Sequence, residues 1–282
     1  MKPAVARRLA AARLTPLVAP SPRAVRLGDD QAASPIGDLH HDDLRAGIAE
    51  LEDRLRARQA AFAADGRQAL LVVLQGRDAS GKDGLIRTVF GACNPATCAV
   101  TAFGPPTPRE LAHDFLWRVH QAVPARGHIG VFNRSHYEDV LVARVRELVP
   151  RATWRRRFEQ INAFERLLVE SGTVIVKVFL HVSRAEQRRR LLERLDDPAK
   201  NWKWNDGDIA DRARWEAYTR AYRDVLVRCA TPWAPWHIVP ADSKSTRNYL
   251  MLRLLVDTLD RLDPTFPAAD PAVLRAARRA LE

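Results

Sequence analysis

The apolar run ALLVVLQG at residues 69–76 passes directly into GRDASGKDG at 76–84, and no other feature restricts the fold so tightly. Gly76, four intervening residues, Gly81 and Lys82 have the spacing of a phosphate-binding loop. A helical pattern follows at Leu85, Ile86, Val89 and Phe90. Strand, Gly-rich turn and helix N-terminus together aim backbone N–H groups at one anion, and Lys82 reaches the same oxygens as a point charge. Asp83 departs from the usual pattern, because Ser or Thr normally supplies a metal-binding hydroxyl there. A second carboxylate, Asp78, lies inside the loop.

Four further apolar runs predict strands: CAVTAF at 98–103, HIGVFN at 128–133, TVIVKVFLHV at 173–182 and WHIVPA at 236–241. They are mostly continuous rather than alternating, as strands covered on both faces are. Helical stripes lie between them: Leu111, Phe115 and Val119; Trp154, Phe158, Ile161 and Leu168; Trp215, Tyr218, Tyr222, Val225 and Cys229; and a fourth from Met251 to Leu262. Alternation of this kind predicts a parallel α/β sheet with helices on both faces and a ligand at the carboxyl ends of the strands. An earlier helix is predicted from about His41 to Ala64, with Leu44, Ile48, Leu51 and Leu55 on one face. Residues 1–40, interrupted by five prolines, read as a loosely ordered basic extension, leaving 41–282 as a single domain.

Of the 282 residues, 46% are hydrophobic, enough for a sizeable core, and the formal net charge of +11 favours a polyanionic partner. Cys93, Cys98 and Cys229 form no CxxC pair, which argues against a disulfide framework or structural zinc and for a reducing cytoplasm. No apolar run approaches the roughly 20 residues that span a bilayer, so no membrane association is expected.

Two later segments carry candidate chemistry. The third strand ends at Asn133, followed by Arg134 and then Tyr137, Glu138 and Asp139. Arg134 is suited to a transferring phosphoryl group, and Glu138 to a metal or an acceptor. The same residues also read as a capped helix, with Ser135 as N-cap and Glu138 three residues on. After the fourth strand, residues 184–210 form a basic, Pro-broken stretch in which Arg190 and Arg194 share a helix face and Lys200 and Lys203 follow. It reads either as a lid closing over phosphates or as a solvated charged face. Magnesium would reconcile Asp78 with a phosphate, since this hard cation takes oxygen ligands. Asp83 at the helix start reads equally as a second metal ligand or as an acid complementing the helix dipole.

Taken in order, GRDASGKDG, AHDFLWRVH, FNRSHYEDVLV, PAKNWKW and APWHIVPADSK resemble the polyphosphate kinase 2 family from about residue 40 to 262. The resemblance implies a P-loop kinase-like parallel five-stranded sheet flanked by helices, with a helical lid at about 184–210. It implies Mg2+ as cofactor and inorganic polyphosphate with AMP, ADP and ATP as substrates, in a homodimer or homotetramer; the acids at the mouth of the loop and the lack of an RNP-like aromatic strand motif argue against nucleic acid as the polyanion. It makes Asp78 a magnesium-associated acid, Lys82 the phosphate-gripping lysine and Arg134 a catalytic arginine. Arg77, Ser80 and Gly81 join them at the phosphate, Arg190 and Arg194 contact phosphates from the lid, and Lys200 and Lys203 line the polyphosphate path. Family members with Asp at position 133 use it for metal, so the second metal ligand here is Asn133 or Asp83. Glu138, where ADP-specific relatives commonly carry Asn, resembles the branch that phosphorylates AMP as well as ADP. Gly104 stands where many relatives carry a Lys, so that polyphosphate contact is either absent here or supplied by Arg109. The alternative expectation is an NTP-dependent nucleotide kinase on the same fold.

Overall fold

The computed structural model describes residues 3–37, 39 and 41–282. Five strands, β1 (Ala69–Gly76), β2 (Cys98–Ala102), β3 (Ile129–Asn133), β4 (Thr173–His181) and β5 (Trp236–Pro240), form one sheet in the order β2-β3-β1-β4-β5. Every pairing is parallel, with Leu74 opposite Asn133 where β1 meets β3. The strands coincide with the five apolar runs to within a residue at each end. Twelve helices accompany them among the described residues: α1 (Pro3–Ala11), α2 (His41–Asp65), α3 (Lys82–Val89), α4 (Pro108–Leu111), α5 (Trp117–Gln121), α6 (Val142–Val145), α7 (Arg151–Glu170), α8 (Arg184–Asp196), α9 (Asp206–Ala213), α10 (Trp215–Arg228), α11 (Lys244–Leu262) and α12 (Pro271–Leu281).

Every residue of β1 is buried, and its side chains divide between two layers as a pleated strand requires. Leu70, Val72 and Leu74 pack with Leu55 of α2, Leu85 of α3 and Leu252 of α11. Leu71 and Val73 face the other layer, with Ile161 of α7 and Val225 of α10. Both faces are therefore covered, which is why the run is continuously apolar. β2 differs from this expectation. It is an edge strand, and Val100 is 47% exposed.

Two other expectations are revised. The stripe Leu111, Phe115 and Val119 is two short helices rather than one: Asp114 accepts a hydrogen bond from the Leu116 N–H at 2.9 Å, turning the chain between α4 and α5. Leu111 is exposed, and only Val119 of the three is fully buried. Within residues 1–40, read as a loosely ordered extension, residues 3–37 and 39 instead follow a defined path over the domain, while Met1, Lys2, Asp38 and His40 lie outside the described residues. Leu9 is buried, and its carbonyl accepts a hydrogen bond from the Tyr249 hydroxyl at 2.8 Å. Leu17 and Trp236 exchange backbone hydrogen bonds in an antiparallel bridge, so the segment covers the free edge of β5. These partners lie far along the chain, beyond the reach of local periodicity.

Candidate functional site

The loop after β1 is held in shape by its own lysine. Lys82 is buried, and its Nζ donates to the carbonyls of Gly76 at 2.7 Å and Arg77 at 3.2 Å. Gly81 caps α3 with φ +95°, and Ala79 has φ +60°, so two left-handed positions, one on each side of Ser80, shape the turn. A non-glycine residue in that region costs about 1–3 kcal/mol and persists where its surroundings hold it, commonly at functional sites. Arg134, at the end of β3, has φ +64°, and its N–H donates to Leu74 O at 3.0 Å, tying the second site segment to the first.

Asp78, Lys82, Asp83, Asn133 and Arg134 line one cleft of about 490 Å3 at the carboxyl ends of β1 and β3. From the 184–210 stretch, Arg190, Arg194, Lys200 and Lys203 border the same cleft. Lys244, at the start of α11, joins them, a residue that sequence reasoning did not single out. Arg109 is absent from the cleft wall, and its guanidinium lies 5.4 Å from the Trp117 ring centroid.

The charges within the cleft are interlocked. Arg134 forms ion pairs with Asp78 and, at 3.4 Å, with Glu138. Burial pushes the Asp78 pKa up, but Arg134 and then Lys82 outweigh it and hold the carboxyl below its usual range. Burial pushes Lys82 down to about 8, with Arg134 adding to the effect and Asp78, Glu138 and Asp83 opposing it. Burial likewise lowers Arg134, yet Glu138 and Asp78 reverse the sign and raise it. Asp83 accepts a hydrogen bond from the Asn133 side-chain amide at 2.9 Å, so these two candidates for the second metal ligand are neighbours. The cations of the 184–210 stretch are also paired: Arg194 with Asp208 at 2.8 Å and Lys200 with Asp197 at 2.7 Å, while Lys203 sits 5.0 Å from the Trp202 ring centroid.

Three expected phosphate ligands are placed differently from the sequence reading. Arg77 turns away from the large cleft, with its guanidinium 3.7 Å from the Trp215 ring centroid and donating to Trp215 O at 3.2 Å and Thr219 Oγ1 at 2.6 Å. The aromatic face and two acceptors outcompete the solvent-filled cleft. Ser80 is fully buried behind the loop with its hydroxyl unpaired. Arg190, although it borders the cleft, gives its N–H groups to Glu186 and to the carbonyls of Ala79, Ser80, Ala241 and Asp242 at 2.6–3.1 Å. It braces the loop against the β5–α11 connection.

A second, much smaller cavity of about 20 Å3 lies on the other side of Arg134, bordered by Glu138, Asp211, Trp215, Tyr218 and Tyr222. Asp78 and Arg134 border both spaces. Glu138 belongs to this smaller cavity, and the capping box expected for it does not form. Ser135 caps a short 3-10 turn by accepting from the Tyr137 N–H at 3.2 Å, which leaves the Glu138 carboxylate to Arg134.

Beneath that turn lies a polar network that sequence reasoning missed. Lys177 Nζ, in the middle of β4, donates to Glu165 Oε2 at 2.6 Å, to Tyr137 OH at 2.9 Å and to Cys229 O at 2.5 Å. The Tyr137 hydroxyl donates to Glu165 Oε1 at 2.7 Å, and His136 Nε2 lies 3.2 Å from the same oxygen. All four side chains are almost completely buried, so the network fixes residues 135–138 from below. Its trace in the sequence was a lysine inside the apolar run TVIVKVFLHV and a glutamate beside Phe164 on the buried face of α7. Removing one partner strands the other charge: Lys177→Met or Glu165→Ala is expected to lower unfolding free energy by about 3–5 kcal/mol in urea denaturation. A loss under about 1 kcal/mol would mean that the pair does not brace the turn.

The sequence model of the polyphosphate kinase 2 (PPK2) family matches residues 38–267. An AMP/ADP-polyphosphate phosphotransferase of Meiothermus ruber is 49% identical over 225 residues, covering 80% of this chain and 84% of that protein. An ADP-polyphosphate phosphotransferase of Rhodopseudomonas palustris is 40% identical over 245 residues, 83% of each chain. The crystal structure of polyphosphate kinase 2 from Arthrobacter aurescens superposes with a TM-score of 0.85 at 40% identity, covering 96% of this chain and all of that one. With a phosphate-binding loop on a parallel five-stranded sheet and a match spanning most of its length, the chain belongs to the polyphosphate kinase 2 family.

Proposed function

We propose that this protein moves phosphoryl groups between inorganic polyphosphate and adenine nucleotides, taking AMP to ADP and ADP to ATP, with magnesium as cofactor. The observation that carries this reading is the cation-lined cleft at the carboxyl ends of β1 and β3, where Asp78 and Arg134 also border a second, water-sized space beside Glu138. The wide cleft suits the donor. Cations outnumber carboxylates in its lining even with Arg194 and Lys200 paired to Asp208 and Asp197, and a chain with about one negative charge per unit draws on such an excess along its length.

Magnesium fits the donor set. Asp78 and Asp83 bring hard carboxylate oxygens to the cleft that Lys82 enters, with the Asn133 amide beside Asp83. Among the described residues no group of three His, Cys, Asp or Glu could hold a metal, which suits an ion bound by one or two carboxylates and completed by substrate phosphates. When bound, it would neutralise charge on the phosphates. The residues of the chain do the rest: an acceptor phosphate oxygen attacks the terminal phosphorus, the bond to the bridging oxygen breaks, and Lys82 and Arg134 stabilise the equatorial oxygens. No covalent nucleophile is needed.

Acceptor choice follows from Glu138. AMP brings one phosphate fewer than ADP, and the Glu138 carboxylate balances Arg134 where that anion is missing. The Meiothermus ruber relative, named for both AMP and ADP, supports this reading. With long-chain polyphosphate as donor, AMP and ADP supplied separately are each expected to yield product. Glu138→Asn is expected to lower kcat/KM for AMP about tenfold more than for ADP, a difference of about 1.4 kcal/mol in transition-state binding. Equal losses with the two acceptors would remove Glu138 from acceptor choice.

A further inference from the structure

Arg247 lies one turn into α11 and is 2% exposed. Its Nε and Nη2 donate to the Asn248 side-chain oxygen at 3.1 and 2.8 Å, and Nη1 makes no hydrogen bond to a described residue. No carboxylate among the described residues pairs with it. Burial, with Arg190 as a nearby like charge, pushes its pKa down to about 10, which leaves it protonated at neutral pH. Burying a cation without a counterion is costly, and sequences avoid it unless something repays the cost.

The location supplies that reason. A Cβ placed on Gly81 would collide with Arg247 Nη1, and one on Gly84 would lie 3.7 Å from Nη2, so the guanidinium packs against the backbone at the start of α3. Gly81 and Gly84 border the large cleft on their other side. Arg190, whose Nη1 lies 3.5 Å from the same Gly81 position, is held by Glu186 and four carbonyls; Arg247 has no such set of partners. Its charge therefore stands directly behind the N–H groups that face a phosphate, within a turn where dielectric screening is weak.

We propose that Arg247 is a positioning residue for the phosphate chain: a buried charge behind the loop whose counterion is the bound substrate, acting through the Gly81 and Gly84 backbone. The proposal rests on the loop being the phosphate site.

The test is thermal unfolding and equilibrium binding with tripolyphosphate, for wild type, Arg247→Met and Arg247→Gln. Ligand-free Arg247→Met is expected to melt at or above the wild-type temperature, because an unpaired buried charge has gone. Its Kd for tripolyphosphate is expected to rise about tenfold, its stabilisation by the ligand to shrink, and its affinity to depend less steeply on salt. Arg247→Gln, which keeps a hydrogen-bonding group near Asn248 without the charge, should lose affinity equally and carries the test if the methionine variant does not fold. Wild-type affinity and salt dependence in either folded variant would overturn the proposal, including when melting temperature falls. If tripolyphosphate failed to stabilise even the wild type, the placement of phosphate at the loop would fail instead.

Discussion

Replacing Lys82 with alanine should reduce phosphoryl transfer by at least about a thousandfold while leaving the fold intact. Lys82 is a buried cation in the cleft lining, held by the Gly76 and Arg77 carbonyls, with Asp78 among the charges acting on it. Alanine deletes the charge at the proposed phosphate site and frees the Gly76 and Arg77 carbonyls, which loosens the loop locally while both core layers stay intact. Circular dichroism and urea unfolding should therefore stay close to wild type while kcat collapses. The wild-type lysine also gives a pH signature. With its pKa pushed down to about 8, it is progressively neutral above that pH in the free enzyme. A bound polyanion favours the ammonium form, so binding takes up a proton and polyphosphate affinity falls as pH rises through about 8. A titration of Kd against pH from 6.5 to 9.5 reads this directly, and the Lys82→Ala variant should lose that dependence. Undiminished turnover in Lys82→Ala would mean that the loop is not the reacting site.

Arg134→Lys should cost about a hundredfold in kcat, and Arg134→Ala about a thousandfold, with much smaller changes in the KM for polyphosphate. Arg134 is paired to Asp78 and Glu138 at the boundary of the two cavities, on a backbone held at φ +64° by the strand end and the buried Lys177–Glu165 network below. To act on a transferring phosphoryl group, its guanidinium exchanges carboxylate oxygens for phosphoryl oxygens, a planar match that the lysine ammonium cannot make. The effect should fall on kcat because the interaction grows as charge gathers on the equatorial oxygens. A variant that raises KM with unchanged kcat would assign Arg134 to ground-state binding instead.

The sequence made the strands legible because four of the five are covered on both sides, and that burial writes itself as an unbroken apolar run. β2 shares the signal only in part, since an edge strand needs less cover, and Val100 is half exposed. The phosphate loop was legible because its spacing, strand and helix are contiguous. Residues whose partners are distant in sequence were not. Arg77 reads as a loop cation, but its direction is set by Trp215 and Thr219, more than a hundred positions away. Arg190 reads as a phosphate contact, yet the carbonyls it braces come from both the loop and the end of β5. Residues 1–40 lack periodicity of their own, and those of them that are described find partners on β5 and α11, as Leu17 does with Trp236 and Leu9 with Tyr249. Lys177 and Glu165 did leave a trace, each a charge interrupting an apolar pattern, and such interruptions in buried elements point to a paired network.

The most direct measurement supplies AMP and magnesium to the purified protein with one donor at a time, long-chain polyphosphate or ATP, and follows ADP and ATP by separation of the nucleotides. The cation-lined cleft predicts rapid phosphorylation of AMP from polyphosphate and negligible transfer from ATP when no polyphosphate is present. Turnover with ATP and none with polyphosphate would contradict the account and identify a nucleotide kinase that uses the same loop with an ordinary donor.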